Sequence, residues 1–251
     1  METTLDSIRD IKLYQYRYGY RFSVDALLLY SFVNLKRVSK IADLGAGSGI
    51  VGLLLAKKYP DAEVTLFELQ DSLVRLAEKN ITLNSLEDRV RVIKTDIREI
   101  KTRHSPLVTL HRMVQGVTRH CFDLIVSNPP FRGVKSGLIS TGEEKAIARH
   151  EISLKLPELI DAVSYLSMAK GRFCIIYHPN RLLELIETMK KRGLEPKRLR
   201  FVHSNTSSEA KMTLLEAVNG GRSGMKVERP FYIYKKDGSY TDEMKGIYLH
   251  L

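Results

Sequence analysis

Asp43-Leu44-Gly45-Ala46-Gly47-Ser48-Gly49 follows a short apolar run, Ser39–Leu44, and directly precedes Ile50–Lys58, whose apolar residues recur at helical spacing. Glycines at such a strand-to-helix junction let the main chain turn tightly and approach a ligand with no Cβ in the way. Outward from this junction, short apolar runs alternate with longer amphipathic ones, as they do when helices join parallel strands. Glu63–Phe67, Val90–Lys94, Phe122–Val126 and Arg172–Tyr177 read as strands, and Asp71–Leu83 as a helix with Asp71 or Ser72 as its N-cap. Leu156–Met168 reads as a helix with Pro157 in its first turn, and Arg181–Arg192 as a helix stopped by Gly193. Leu199–His203 and Met212–Val218 read as two final strands. The expected fold is α/β: a doubly wound, seven-stranded Rossmann-like sheet whose last strands run antiparallel. Residues 1–36 form a leader ahead of it, and 37–251 form the sheet domain.

The 251 residues suffice to bury one full core, and 43% hydrophobic with 27% charged content is ordinary for a globular chain. No run reaches the length a membrane-spanning helix requires, and the opening residues lack the pattern of a secretory signal. Cys121 and Cys174 lie in or beside apolar runs and read as buried thiols of a cytoplasmic protein. The seven histidines fall in no metal-ligand spacing, so no metal site is expected. Forty Lys plus Arg against 29 Asp plus Glu leave +11, a surplus that favours a polyanionic partner. Lys101–His120, between the third and fourth strands, and Arg132–Arg149, after Pro130, carry much of this charge, as does Lys190–Arg200, and all three segments are expected to flank the substrate pocket and hold its phosphates.

Gly47, Gly49 and Gly52 also satisfy G-x-G-x-x-G, with Glu68 near the position of a dinucleotide fold's ribose acid. Electrostatics separates the two readings. A pyrophosphate over this turn would be repelled by Asp43, whereas the cationic amino-acid end of S-adenosylmethionine would be attracted. Glu68 can accept from ribose hydroxyls and Asp96 from an adenine amine. All three acids end neighbouring strands, where open α/β sheets place their ligands.

Asn128-Pro129-Pro130-Phe131 follows the fourth strand and would face the methyl group. An adenine amine is a weak nucleophile because its lone pair is delocalised into the ring. Acceptors on its N–H groups, the Asn128 carboxamide oxygen and the Pro129 carbonyl, would localise that pair. The prolines stiffen the turn, and Phe131 offers a face for a flipped base. The ordinary reading of Asn-Pro is a surface turn, but this position after this glycine segment argues for chemistry.

With these residues together, the chain resembles the N6-adenine branch of class I methyltransferases, and within it the bacterial tRNA(Val) adenine-37 N6-methyltransferase family. The likeness spans nearly the whole chain, including the leader Gly19-Tyr20-Arg21-Phe22-Ser23-Val24-Asp25-Ala26-Leu27-Leu28-Leu29 and the loop Ala148-Arg149-His150-Glu151. It implies a leader closing over S-adenosylmethionine, with Arg21, Phe22 and Asp25 touching the cofactor. It also implies a cofactor pocket of Asp43, Gly45, Gly47, Glu68, Leu69, Asp96 and Asn128, and a base pocket of Asn128 to Phe131. RNA, and tRNA in particular, is the implied partner. Many relatives carry tyrosine where this chain has Phe131, and the insertion Lys101–His120 is longer than theirs. The alternating Tyr14, Tyr16, Tyr18, Tyr20 and Phe22 equally suit a plain edge strand.

Protein glutamine N5-methyltransferases acting on release factors share the Asn-Pro-Pro-aromatic chemistry, but usually carry a helical domain ahead of the catalytic core. Only about 40 residues precede Asp43 here, too few for a substantial domain. DNA adenine and rRNA guanine methylation are the nearest nucleic-acid alternatives. A binding-only protein would have no use for Asp43, Glu68, Asp96 and Asn128 together, and a dehydrogenase none for the Asn-Pro-Pro-Phe tetrad.

Overall fold

The computed structural model describes residues 2–17, 24–102, 119–129 and 154–248. A hairpin of β1 (Thr3–Ile8) and β2 (Ile11–Tyr16) leads into α1 (Val24–Phe32). Then come β3 (Lys40–Leu44), α2 (Ile50–Lys58), β4 (Glu63–Glu68), α3 (Asp71–Leu83), β5 (Val90–Lys94) and the short α4 (Glu99–Thr102). The second half holds β6 (Phe122–Ser127), α5 (Leu156–Leu166), β7 (Ser167–Tyr177), a 3-10 turn (Pro179–Arg181), α6 (Leu182–Lys191), β8 (Leu194–His203) and β9 (Ala210–Asn219). Two short strands, β10 (Lys226–Val227) and β11 (Phe231–Tyr232), and α7 (Asp242–Tyr248) follow.

The sheet is doubly wound, with order β10-β8-β9-β7-β6-β3-β4-β5 and β11 also paired to β8. It is parallel from β5 through β7, and β9 runs antiparallel between β7 and β8. The seven expected strands are present, and the two-residue β10 and β11 raise the number to nine. Ser167 and Met168 open β7 rather than closing the helix before it. Beginning at Leu194, β8 carries Pro196 at an irregularity in its pairing with β9, where the missing N–H is tolerated. The N-cap of α3 is Gln70, with no side-chain cap, rather than Asp71 or Ser72.

Burial follows the two-residue period of each strand. Ile41, Val64, Leu66, Leu124, Val126, Cys174 and Ile176 pack against α1, α2 and the hairpin. Ala42, Leu44, Phe67, Ile125, Phe173 and Ile175 pack against α5 and α6. With both faces covered, the strands read as continuous apolar runs.

Cations cap helix carboxyl ends across the fold. Lys58 donates to the Val33 carbonyl, Arg198 to that of Phe32, and Arg9 to those of Gly246 and Ile247 at 3.1 and 2.8 Å. Positive charge at a helix carboxyl terminus complements its dipole. Burial, reinforced by Arg9, holds the Lys58 ammonium below its usual pKa. Burial pushes the Cys174 thiol up, leaving it unreactive.

Candidate active site

The glycine turn is held from beneath by β4. Gly45 and Ala46 donate to the Phe67 carbonyl at 2.9 and 3.0 Å. Gly45 has φ +76°, and a Cβ there would meet open space. At Gly52, one turn into α2, a Cβ would lie 2.2 Å from Leu66 Cδ2, so only glycine lets the helix sit this close to the sheet. That approach brings the Gly52 amide to Asp43 Oδ2 at 3.0 Å.

Asp43 is 2% exposed. Burial lifts its carboxyl to about 7; the Gly52 amide opposes the rise and the Glu68 charge adds to it. Glu68, also buried, uses one oxygen to accept from Gly47 at 2.8 Å and the other from Leu69 and Gln70 at 2.8 and 2.9 Å. Its carboxylate therefore fixes the glycine turn to the end of β4. Asp96 follows β5 half-buried, with both oxygens engaged by Arg98 and the Arg98 amide donating at 2.9 Å.

Ser127 ends β6 beside β3, donating its hydroxyl to the Leu44 carbonyl at 2.8 Å. Asn128, half-buried, and Pro129, buried, leave the sheet from that point, next to Gly45. Asp43, Gly45, Gly47, Glu68, Leu69, Asp96, Asn128 and Pro129 thus stand at the carboxyl ends of four adjacent strands. Asp25 lies in the first turn of α1. Arg21, Phe22, Pro130, Phe131, the loop 132–151 and most of the insertion 101–120 lie outside the described residues.

Two further residues shape the turn. Ser48 Oγ is buried and has no hydrogen-bond partner among the described residues. Fully buried Asn80 donates to the Ser48 carbonyl at 2.9 Å, steadying the glycine turn from α3. A polar amide on the apolar stripe Leu73, Leu76, Ala77, Ile81 was the available signal. The stretch Lys190–Arg200 does not gather at the base pocket. Because α6 runs back toward the amino ends of the strands, Lys190–Lys197 lie at the opposite end of the sheet from Asn128. Arg192, Arg198 and Arg200 are ion-paired to Asp161, Glu216 and Glu243.

Among the described residues no group of three or more His, Cys, Asp or Glu could hold a metal, and no helix is long and apolar enough to cross a membrane. The orphaned Ser48 hydroxyl, the open space over Gly45 and the acids around it fit S-adenosylmethionine.

Comparison with known proteins points the same way. Residues 23–144 match the family described as Methyltransferase small domain. A tRNA1(Val) (adenine(37)-N6)-methyltransferase of Porphyromonas gingivalis is 30% identical over 220 residues, covering 86% of this chain and 81% of its own. The protein of the same name from Shewanella sediminis is 29% identical over 251 residues, covering 92% and 93%. Among solved structures, a predicted O-methyltransferase from Agrobacterium tumefaciens shares the fold with TM-score 0.69 at 22% identity, over 89% of this chain and 94% of that one.

Proposed function

The chain belongs to the tRNA1(Val) (adenine(37)-N6)-methyltransferase family, and we propose that it methylates the exocyclic N6 amine of adenine 37 in that tRNA, using S-adenosylmethionine. The observation that carries the assignment of roles is the departure of Asn128-Pro129 from β6 directly beside the glycine turn of β3. Bound S-adenosylmethionine supplies a methyl group activated by its sulfonium.

The chain's own residues supply position and charge. Glu68 keeps the turn in shape through Gly47, and Ser48 Oγ offers the ligand a buried polar partner. Asp43, as a carboxylate, attracts the ligand's positive charge. The Asn128 carboxamide oxygen and Pro129 carbonyl accept from the adenine amine and concentrate its lone pair on nitrogen. The methylated nitrogen is strongly acidic while it carries positive charge, so its proton leaves without a dedicated base. Phe131 stacks on the base, and Arg21, Phe22 and Asp25 close the site from the leader.

Transcribed tRNAs and a release factor, offered together with tritiated S-adenosylmethionine, test this reading. Label recovered as N6-methyladenosine from digested tRNA is the expected result. Label on release-factor glutamine would overturn it.

A further inference from the structure

Beyond the active site, we propose that the hairpin closed by Tyr234 and Tyr240 is an RNA-docking element. An unpaired base of the substrate loop stacks on Tyr234 while Lys236 faces a neighbouring phosphate. This rests on the RNA-methylating reading and adds a second point of contact to it.

Position comes first. After β11 pairs with the carboxyl half of β8, the chain continues in the same direction. Ile233 donates to the His203 carbonyl at 3.0 Å and Tyr234 to that of Ser204 at 2.8 Å. Strand β8 is parallel to β7 and β6, so this segment leaves the sheet at the end where Asn128 stands. Four strand steps separate β11 from β6, about 19 Å at ordinary spacing.

The hairpin is built to project. Tyr234 and Tyr240 bridge each other, Lys235 donates to the Ser239 carbonyl at 2.7 Å, and Asp237 accepts from the Ser239 amide and hydroxyl. The Tyr234 and Tyr240 rings stack at 5.3 Å and 15°, and Tyr240 stacks on Tyr248 of α7 at 5.6 Å and 24°. Tyr234 and Tyr240 are 39% and 38% exposed, the two most open aromatic rings among the described residues. A column of rings anchored on a helix contributes little to the core at its outer end. It does present a rigid π-face that any base can extend. The exposed tip carries Lys235, ion-paired to Asp242 at 2.9 Å, and Lys236.

Fluorescence anisotropy with a labelled stem-loop RNA and a blunt duplex of equal length tests the proposal. Tyr234→Ala should weaken stem-loop binding about tenfold. It should leave duplex binding and S-adenosylmethionine affinity unchanged, and Tyr234→Phe should behave as wild type. Lys236→Gln, which removes no packing, should lower the slope of log affinity against log salt by about one. If Tyr234→Ala does not fold, the Lys236→Gln slope and the wild-type preference for the loop decide. An unchanged slope, equal binding of loop and duplex by the wild type, or full stem-loop affinity in Tyr234→Ala overturns the proposal. Loop docking without any N6-methyladenosine would instead sink the methylation reading alone.

Discussion

Asn80 and Tyr14 exchange two hydrogen bonds across the free edge of β2. The Asn80 carboxamide oxygen accepts the Tyr14 amide at 2.7 Å, and its nitrogen donates to the Tyr14 carbonyl at 3.1 Å. One helical turn on, Asn84 repeats the pattern with Lys12 at 2.9 and 2.7 Å. A carboxamide on α3 and another at its C-cap thus stand in for a neighbouring strand and cover an edge that would otherwise invite pairing. Because Asn80 also holds the Ser48 carbonyl, hairpin and glycine turn share one buried anchor. Asn80→Ala leaves these partners unsatisfied and should lower unfolding stability by about 3 kcal/mol, with weaker cofactor binding. Asn84→Ala, at a half-buried site where water can reach the freed groups, should lower it by about 1 kcal/mol or less. Urea unfolding of both variants checks the contrast; equal losses would refute the shared-anchor role.

Asp43 should make the protein pH-sensitive. Its carboxyl titrates near 3.8 in the unfolded chain and about 7 in the fold. Between those values the folded state retains a proton that the unfolded state has lost, so this group's contribution to stability falls as pH rises through that window and then levels. Cofactor binding should run the other way, strengthening from pH 6 to pH 8 as the attracting carboxylate forms, with proton release near neutrality. Calorimetry in buffers of different ionisation enthalpy measures the release. Proton release that persists undiminished in Asp43→Asn would assign it to another group.

Glu68→Gln is expected to be far from conservative. It replaces one acceptor oxygen with an NH₂ facing the main-chain amides of Gly47, or of Leu69 and Gln70. Donor against donor should disturb the glycine turn and raise the S-adenosylmethionine Kd at least about tenfold. Equilibrium binding with tritiated cofactor reads this directly, and wild-type affinity would remove Glu68 from the site.

Asn128→Ala should separate chemistry from binding. Losing one acceptor on the adenine amine typically lowers turnover by about 10²–10³. S-adenosylmethionine affinity, to which Asn128 contributes only one edge of the pocket, should fall far less than turnover. Single-turnover methylation of tRNA, alongside cofactor binding, makes the comparison; full activity would refute the catalytic role.

Local patterns were legible in the sequence and distant partners were not. Ile50–Lys58, Asp71–Leu83 and Val90–Lys94 match their expected bounds because each carries its own periodicity and stop. The apolar rhythm of α5 continues through Ser167-Met168, so periodicity alone could not locate the switch into β7. The start of β8, Leu194-Glu195-Pro196-Lys197, reads as polar and broken, and pairing with β9 overrides that preference. Strands as short as β10 and β11 leave no pattern. The acids Asp43, Glu68 and Asp96 stand out at their strand ends, but the internal bonds that occupy Asp43 and Glu68 depend on tertiary neighbours, Gly52 and Gly47. Asn80 meets Tyr14 across 66 positions, beyond the reach of any local rule.

Arg9 donates to carbonyls 237 and 238 positions further along the chain. During synthesis its guanidinium can find neither of them until α7 has emerged. At about 5–20 residues per second the interval is on the order of 10 to 50 seconds. Asn80 and Asn84 can hold the hairpin to α3 well before then, so the Arg9 bonds close last, locking a hairpin that is already docked onto the finished sheet.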